Sequence, residues 1–212
     1  AASDVYKRQL YICMIKNPNP VAKNVTPQLS DAAFIREKVP MTKEEIRHVS
    51  ICKLHLKSDS VLYDVGSGTG SIAVEAASLS DDMEVYAIEQ KENAVQLITQ
   101  NKEKHGLENI HVIKAKAPDG MDTLPVPTHA FIGGSSGNLK EIIEALKVKN
   151  PHIRIVINAI SMETICEIKE ILSAYDVKNE DIVQLQVSRS KQIGHYHLMQ
   201  AENPVWICSF EF

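Results

Sequence analysis

No apolar run in these 212 residues approaches the roughly 20 needed to cross a bilayer, so no membrane-spanning helix is expected. There is no CxxC pair either. Cys13, Cys52, Cys166 and Cys208 are scattered, which fits reduced thiols in a cytosol and neither a disulfide frame nor a zinc site. Excess positive charge is also missing. Lys and Arg number 23 against 27 Asp and Glu, and the net charge of −4 gives no long-range attraction to nucleic acid or an anionic membrane. The chain has no internal repeat and no low-complexity tract. LYICMI, near the start, is too short for the apolar region of a signal peptide. The expected compartment is the cytoplasm.

What is present is ordinary in bulk and regular in order. Apolar residues make up 44% and charged residues 24%, enough for a full core. LYICMI reads as one short strand, and Pro18, Pro20 and Pro27 after it forbid a continuous helix. Residues 1–37 are therefore expected to be a strand and linker before a domain spanning 38–212. From Thr42 onward a helical stripe carries Ile46, Val49, Leu54 and Leu56, and Thr42 with Glu45 has the spacing of a capping box.

Strand and helix then alternate. SVLYDV, EVYAIE, NIHVIKA, THAFIGG and HIRIVINAI read as strands; SIAVEAASLS, KENAVQLITQNKEKHG, NLKEIIEALKV and SMETICEIKEILSAYD read as helices. That alternation predicts an α/β fold with a parallel sheet covered on both faces. DIVQLQVSRS and HLMQAENPVWICSFEF have no helix between them, so they are expected to pair antiparallel and close the sheet.

Two glycine-rich turns punctuate this pattern. The first, Asp64-Val-Gly66-Ser67-Gly68-Thr69-Gly70-Ser71, lies between a strand and a helix, where bare backbone and a helix N-terminus suit an anionic ligand group. Its G-x-G-x-G spacing has Ser71 where the dinucleotide fingerprint carries its third glycine. The shorter pattern suits a loop around the amino-acid tail of S-adenosylmethionine. Glu89 ends the next strand, where a carboxylate can accept hydrogen bonds from a ribose diol and would repel a 2′-phosphate. Both S-adenosylmethionine and NAD satisfy that pair of features. The second turn, Gly133-Gly134-Ser135, ends a later strand that should lie beside the first loop, at the switch in strand order where such sheets bind ligands.

VPMTKEEIR, YDVGSGTGS, AIE, KAPDG, THAFIGGSSGN, VINAISMET, SRSKQIG and AENPVWI occur in an order that resembles the decarboxylating precorrin methyltransferases of cobalamin biosynthesis, T-type subunit. The resemblance covers about residues 38–212 and is most specific at FIGGSSGN and VSRSKQIG. It implies a class I S-adenosylmethionine-dependent methyltransferase fold, with a mostly parallel seven-stranded sheet and an antiparallel C-terminal strand. The activity it implies is methylation of carbon 15 of a precorrin or cobalt-precorrin with decarboxylation of the ring C acetate.

By the same resemblance Thr42, Gly66, Ser67, Gly68, Thr69, Gly70, Glu89 and Ala117 contact the cofactor. Gly133, Gly134 and Ser135 form the substrate side. Arg189 and Lys191 meet its carboxylates, because guanidinium forks match them. Arg36, Lys38, Lys43 and Arg47 form a second basic cluster near Thr42. No catalytic side chain is assigned. Lys116 stands where many class I methyltransferases carry an acid, and His129 where family members often have Asp. The family also implies a homotetramer, and LYICMIKNPNP resembles the last strand of the E-type methylase that is fused in front in some bacteria.

His195 and His197 share one face of a strand, but no third ligand with suitable spacing accompanies them, so no bound metal is expected. Trp206 belongs to a core or an interface. Two rival functions keep part of the pattern. An NAD-binding dehydrogenase module would bind NAD and not S-adenosylmethionine. A methyltransferase acting on RNA or protein would share the cofactor, but the fourth strand is not followed by [DN]-P-P-[FYW].

Overall fold

Alternation of side chains along each strand decides which face of the sheet they serve. The computed structural model describes residues 26–212, and the strand expected at LYICMI lies outside them. Strands β1 (Val61–Val65), β2 (Glu84–Glu89), β3 (Ile110–Lys114), β4 (His129–Ile132) and β5 (Arg154–Ala159) run parallel in the order β3-β2-β1-β4-β5. Leu62, Val85 and Phe131 point to one face, covered by α1 (Glu44–Leu54), α2 (Ser71–Ala77) and α3 (Glu92–Lys104). Tyr63, Val65, Ala130, Ile132 and Ile155 point to the other, under α4 (Leu139–Lys149) and α5 (Met162–Ala174).

The C-terminal part keeps the expected antiparallel closure but divides it differently. DIVQLQVSRS splits into β6 (Lys178–Leu185) and β7 (Ser188–Ile193), and its partner stretch into β8 (Tyr196–Ala201) and β9 (Val205–Glu211). The strand β9 inserts antiparallel between β5 and β6, completing seven strands. Pro204 marks the break on one side because it brings no N–H to a ladder. The break is spanned by Glu202 N–H donating to Val187 O at 2.8 Å. Beyond it β7 and β8 form a separate two-stranded ribbon, with Ile193, Tyr196, Leu198 and Met199 between 53% and 75% exposed.

The capping box expected from Thr42 and Glu45 does not form. The residue before α1 is Lys43, with no side-chain cap. Instead Asp31 Oδ1 accepts from Glu44 N–H at 2.9 Å, and Glu44 Oε2 accepts from Asp31 N–H at 3.3 Å. The cap thus comes from an upstream segment, and Thr42 is left to face elsewhere. That segment has only a three-residue 3-10 turn, Asp31–Ala33, yet is held firmly. Glu75 accepts from Gln28 and Leu29 N–H at 2.6 and 2.8 Å, and Asn101 bonds both polar backbone groups of Ile35. The segment packs on the domain from residue 28 onward, upstream of the boundary expected at 38.

Candidate active site

At the β1/β4 switch point the two glycine turns touch. Gly66 has φ +69°, and a Cβ there would stand 2.4 Å from Gly134 O and 2.8 Å from Gly134 N. Only glycine fits this contact. Gly133 N–H donates to Val65 O at 3.0 Å, which continues the parallel ladder to the loop itself.

Polar groups behind the first loop hold its shape. Ser67 Oγ donates to Asp64 Oδ2 at 2.6 Å, and Ala73 N–H reaches the same oxygen at 3.2 Å. Asp64 is 1% exposed and its Oδ1 has no partner among the described residues. Burial, opposed by those two hydrogen bonds, pushes its carboxyl up to about 7. Glu89 fastens the front: Oε2 accepts from Gly68 N–H at 3.0 Å, and Oε1 accepts from Gln90 and Lys91 N–H at 2.9 Å. A carboxylate has about four acceptor positions. Three are taken, and the open one is on Oε2.

Both turns open onto one cavity of about 700 Å³. That volume lies in the upper part of the range for small-molecule sites, about 300–1,000 Å³. Residues 38–43 wall one side, and the ends of β2 and β3 wall the next. Gly133–Ser136, Asn158 at the end of β5, and Val187, Glu202 and Val205 at the base of the ribbon complete it. Lys38, Lys91 and Lys116 line it without an ion-pair partner among the described residues, whereas Lys43 pairs with Asp31 at 3.4 Å.

Most of the residues expected at the site meet here. Thr42, Gly66, Ser67, Gly68, Glu89, Ala117, Gly133, Gly134 and Ser135 all line the cavity. Ala117 O accepts from Asn138 Nδ2 at 3.2 Å, so that carbonyl is already engaged. Thr69 and Gly70 do not reach the wall. Thr69 is wholly buried, and Gly70 begins α2 with φ +78° against Ile98.

Arg189 and Lys191 also stand off the wall. Arg189 bridges Glu45 on α1 and Glu202 on the cavity side, the latter at 3.1 Å, while Lys191 lies on the exposed ribbon opposite Leu198. Arg47 is no part of a solvated basic cluster, being 0% exposed. His129 sits at the opposite end of the strands from the cavity. Burial, then Arg154, pushes its imidazole down to about 4.

Asn158 was not among the expected residues. Its Nδ2 donates to Ser50 Oγ at 3.0 Å, and Ser50 Oγ in turn lies 2.7 Å from Ile46 O. A polar residue ending the apolar run IRIVINA, at the carboxyl end of a parallel strand, was the available signal.

Residues 32–211 match the model of the precorrin methyltransferase domain family. A Salmonella typhimurium protein named cobalt-precorrin-6B C(15)-methyltransferase (decarboxylating) is 35% identical over 181 residues, 84% of this chain and 93% of that one. The structure called precorrin-6y C5,15-methyltransferase from Geobacter metallireducens superposes with a TM-score of 0.83 at 31% identity, covering 91% of this chain and 100% of that chain. One described as precorrin 8W decarboxylase, from Methanobacterium thermoautotrophicum, gives 0.79 at 32% identity, covering 86% and 98%.

Proposed function

The chain belongs to the precorrin methyltransferase domain family and has the class I methyltransferase fold, and from that premise we propose that it methylates carbon 15 of a precorrin or cobalt-precorrin. The methyl donor is S-adenosylmethionine, the ring C acetate is lost as carbon dioxide, and the pathway is that of cobalamin. The observation that carries this reading is the backbone contact of Gly66 with Gly134, which puts a cofactor-type loop and a second bare turn on one cavity.

Gly66, Ser67 and Gly68 with Glu89 and Thr42 would hold the cofactor. The free position on Glu89 Oε2 suits one ribose hydroxyl, since the other positions already anchor backbone. Bound S-adenosylmethionine supplies an electrophilic methyl group on a sulfonium. The nucleophilic carbon belongs to the macrocycle, so the protein's work is alignment and exclusion of water. Gly133, Gly134 and Ser135 leave a flat approach, and Asn158, held by Ser50, lines its far side. Arg189 meets a substrate carboxylate by exchanging it for Glu202, which places the guanidinium beside the cavity. Lys191 is a secondary contact from the ribbon.

The compartment is the cytoplasm and the working form a homo-oligomer, a tetramer in the family. A lone two-stranded ribbon is marginal in water. The exposed apolar side chains of β7 and β8 are therefore the natural contact between copies. An E-type methylase is the expected fused or associated partner.

Calorimetry with S-adenosylmethionine and NAD, followed by assays on a precorrin-6B-type substrate and on tRNA, tests the reading. Binding of the first ligand alone and methylation of the macrocycle alone are expected. NAD binding, or methyl transfer only to tRNA, would overturn it.

A further inference from the structure

Arg47 occupies an unusual place for a guanidinium. It is 0% exposed and shares the buried stripe of α1 with Ile46, Ser50, Ile51 and Leu54. Its Nε donates to Glu75 Oε2 at 2.7 Å, and its Nη1 donates to Thr42 O at 2.8 Å and Asp31 Oδ1 at 3.3 Å. Nη2 donates to Leu29 O, and the guanidinium lies 4.6 Å from the Phe34 ring centroid. One side chain on α1 therefore grips the chain at residues 29, 31 and 42 and ties all three to α2 through Glu75.

Removing such an ion pair from water carries a penalty of several kcal/mol per ion, and apolar residues of similar volume often replace it without loss of stability. Packing alone does not call for a charge here. What the charge supplies is geometry. Residues 38–43 have no regular secondary structure, yet they form one wall of the cavity. They also lie against the first glycine loop, where a Cβ on Gly68 would stand 2.9 Å from Pro40 O.

We propose that Arg47 is a positioning residue, which with Asp31 and Glu75 clamps the 38–43 strap in place as the cofactor-side wall. This rests on the reading that the cavity holds S-adenosylmethionine. If loss of the clamp leaves the strap placed correctly only about a tenth of the time, the apparent Kd rises about tenfold.

The test is calorimetry with S-adenosylmethionine on the wild-type chain, on Arg47→Met/Glu75→Gln, and on Asp31→Asn. The double variant removes both charges while the Gln oxygen still accepts from Gln28 and Leu29. Asp31→Asn keeps the cap on Glu44 and weakens only the outer ion pairs. Expected are a roughly tenfold rise in Kd for the double variant and a smaller rise for Asp31→Asn. Both should keep a binding stoichiometry near that of wild type and hold kcat at saturating cofactor. A merely structural role would lower the stoichiometry and leave Kd unchanged, and that result overturns the proposal. If the double variant does not fold, an unchanged Kd in Asp31→Asn overturns it equally. The wild-type titration is the separate check: failure there strikes the cofactor reading itself.

Discussion

Gly66 and Gly134 meet backbone to backbone across the β1/β4 switch point, and only one of the two is sterically forced to be glycine. A Cβ on Gly66 would stand 2.4 Å from the Gly134 carbonyl, while a Cβ on Gly134 meets nothing within 4 Å. Packing therefore does not require glycine at 134, which also lines the cavity.

The two glycines should accordingly respond in opposite ways. Gly66→Ala combines a positive φ with a clash and is expected to destabilise the fold by at least about 2 kcal/mol in urea unfolding. Gly134→Leu should stay within about 0.5 kcal/mol of wild type. It should bind S-adenosylmethionine nearly as well, but lose kcat/KM toward the macrocycle. Unimpaired turnover by Gly134→Leu would count against the substrate-side assignment.

Glu89 carries two duties, since its carboxylate anchors Gly68 and the start of α3 as well as facing the cavity. Glu89→Ala is expected to weaken S-adenosylmethionine binding by about 1–3 kcal/mol in calorimetry. An unchanged dissociation constant is incompatible with its role.

Arg189→Ala should raise KM for the polycarboxylate macrocycle and leave cofactor affinity alone. It frees Glu202 on the cavity side, adding repulsion to the lost contact. Because the ion pairs are partly exposed, the expected loss of stability is small, about 0–1 kcal/mol. Lys191→Ala, on the exposed ribbon, should give the weaker effect. Equal loss of substrate and cofactor binding in Arg189→Ala would reject the assignment.

Buried Asp64 and His129 give stability opposite pH dependences. Asp64 in the folded chain holds its proton up to about pH 7, whereas the unfolded carboxyl releases it near 3.8. The folded state thus binds more protons in that window, and stability falls as pH rises through it. His129 titrates near 4 folded and 6.5 unfolded, so between those values the unfolded state binds more protons and stability rises with pH. Urea unfolding of Asp64→Asn should therefore gain relative to wild type from about pH 4 to pH 7 and level off above. A difference that does not vary with pH contradicts the buried-acid assignment.

The alternation of strands and helices, the antiparallel end of the sheet and the two glycine turns were legible because apolar runs and loop spacing are local signals. Short apolar runs between helical stretches placed β1 to β5, and G-x-G-x-G with Glu89 marked residues that line the cavity. What escaped was set by tertiary contact. Thr42 and Glu45 have the spacing of a cap, but Asp31 takes that place from 13 residues upstream of Glu44. Arg47 reads as a surface cation beside Lys43 and is instead a buried hub. Arg189 finds Glu45, 144 residues away, a pairing that spacing along the chain does not announce.

The most direct test of the central claim is a single turnover of a precorrin-6B-type substrate with methyl-labelled S-adenosylmethionine, counting methyl groups gained and carbon dioxide released. One site performing both steps predicts equal amounts of each, with both lost together in Gly134→Leu. Methyl transfer without carbon dioxide release, or no transfer to the macrocycle, would contradict it.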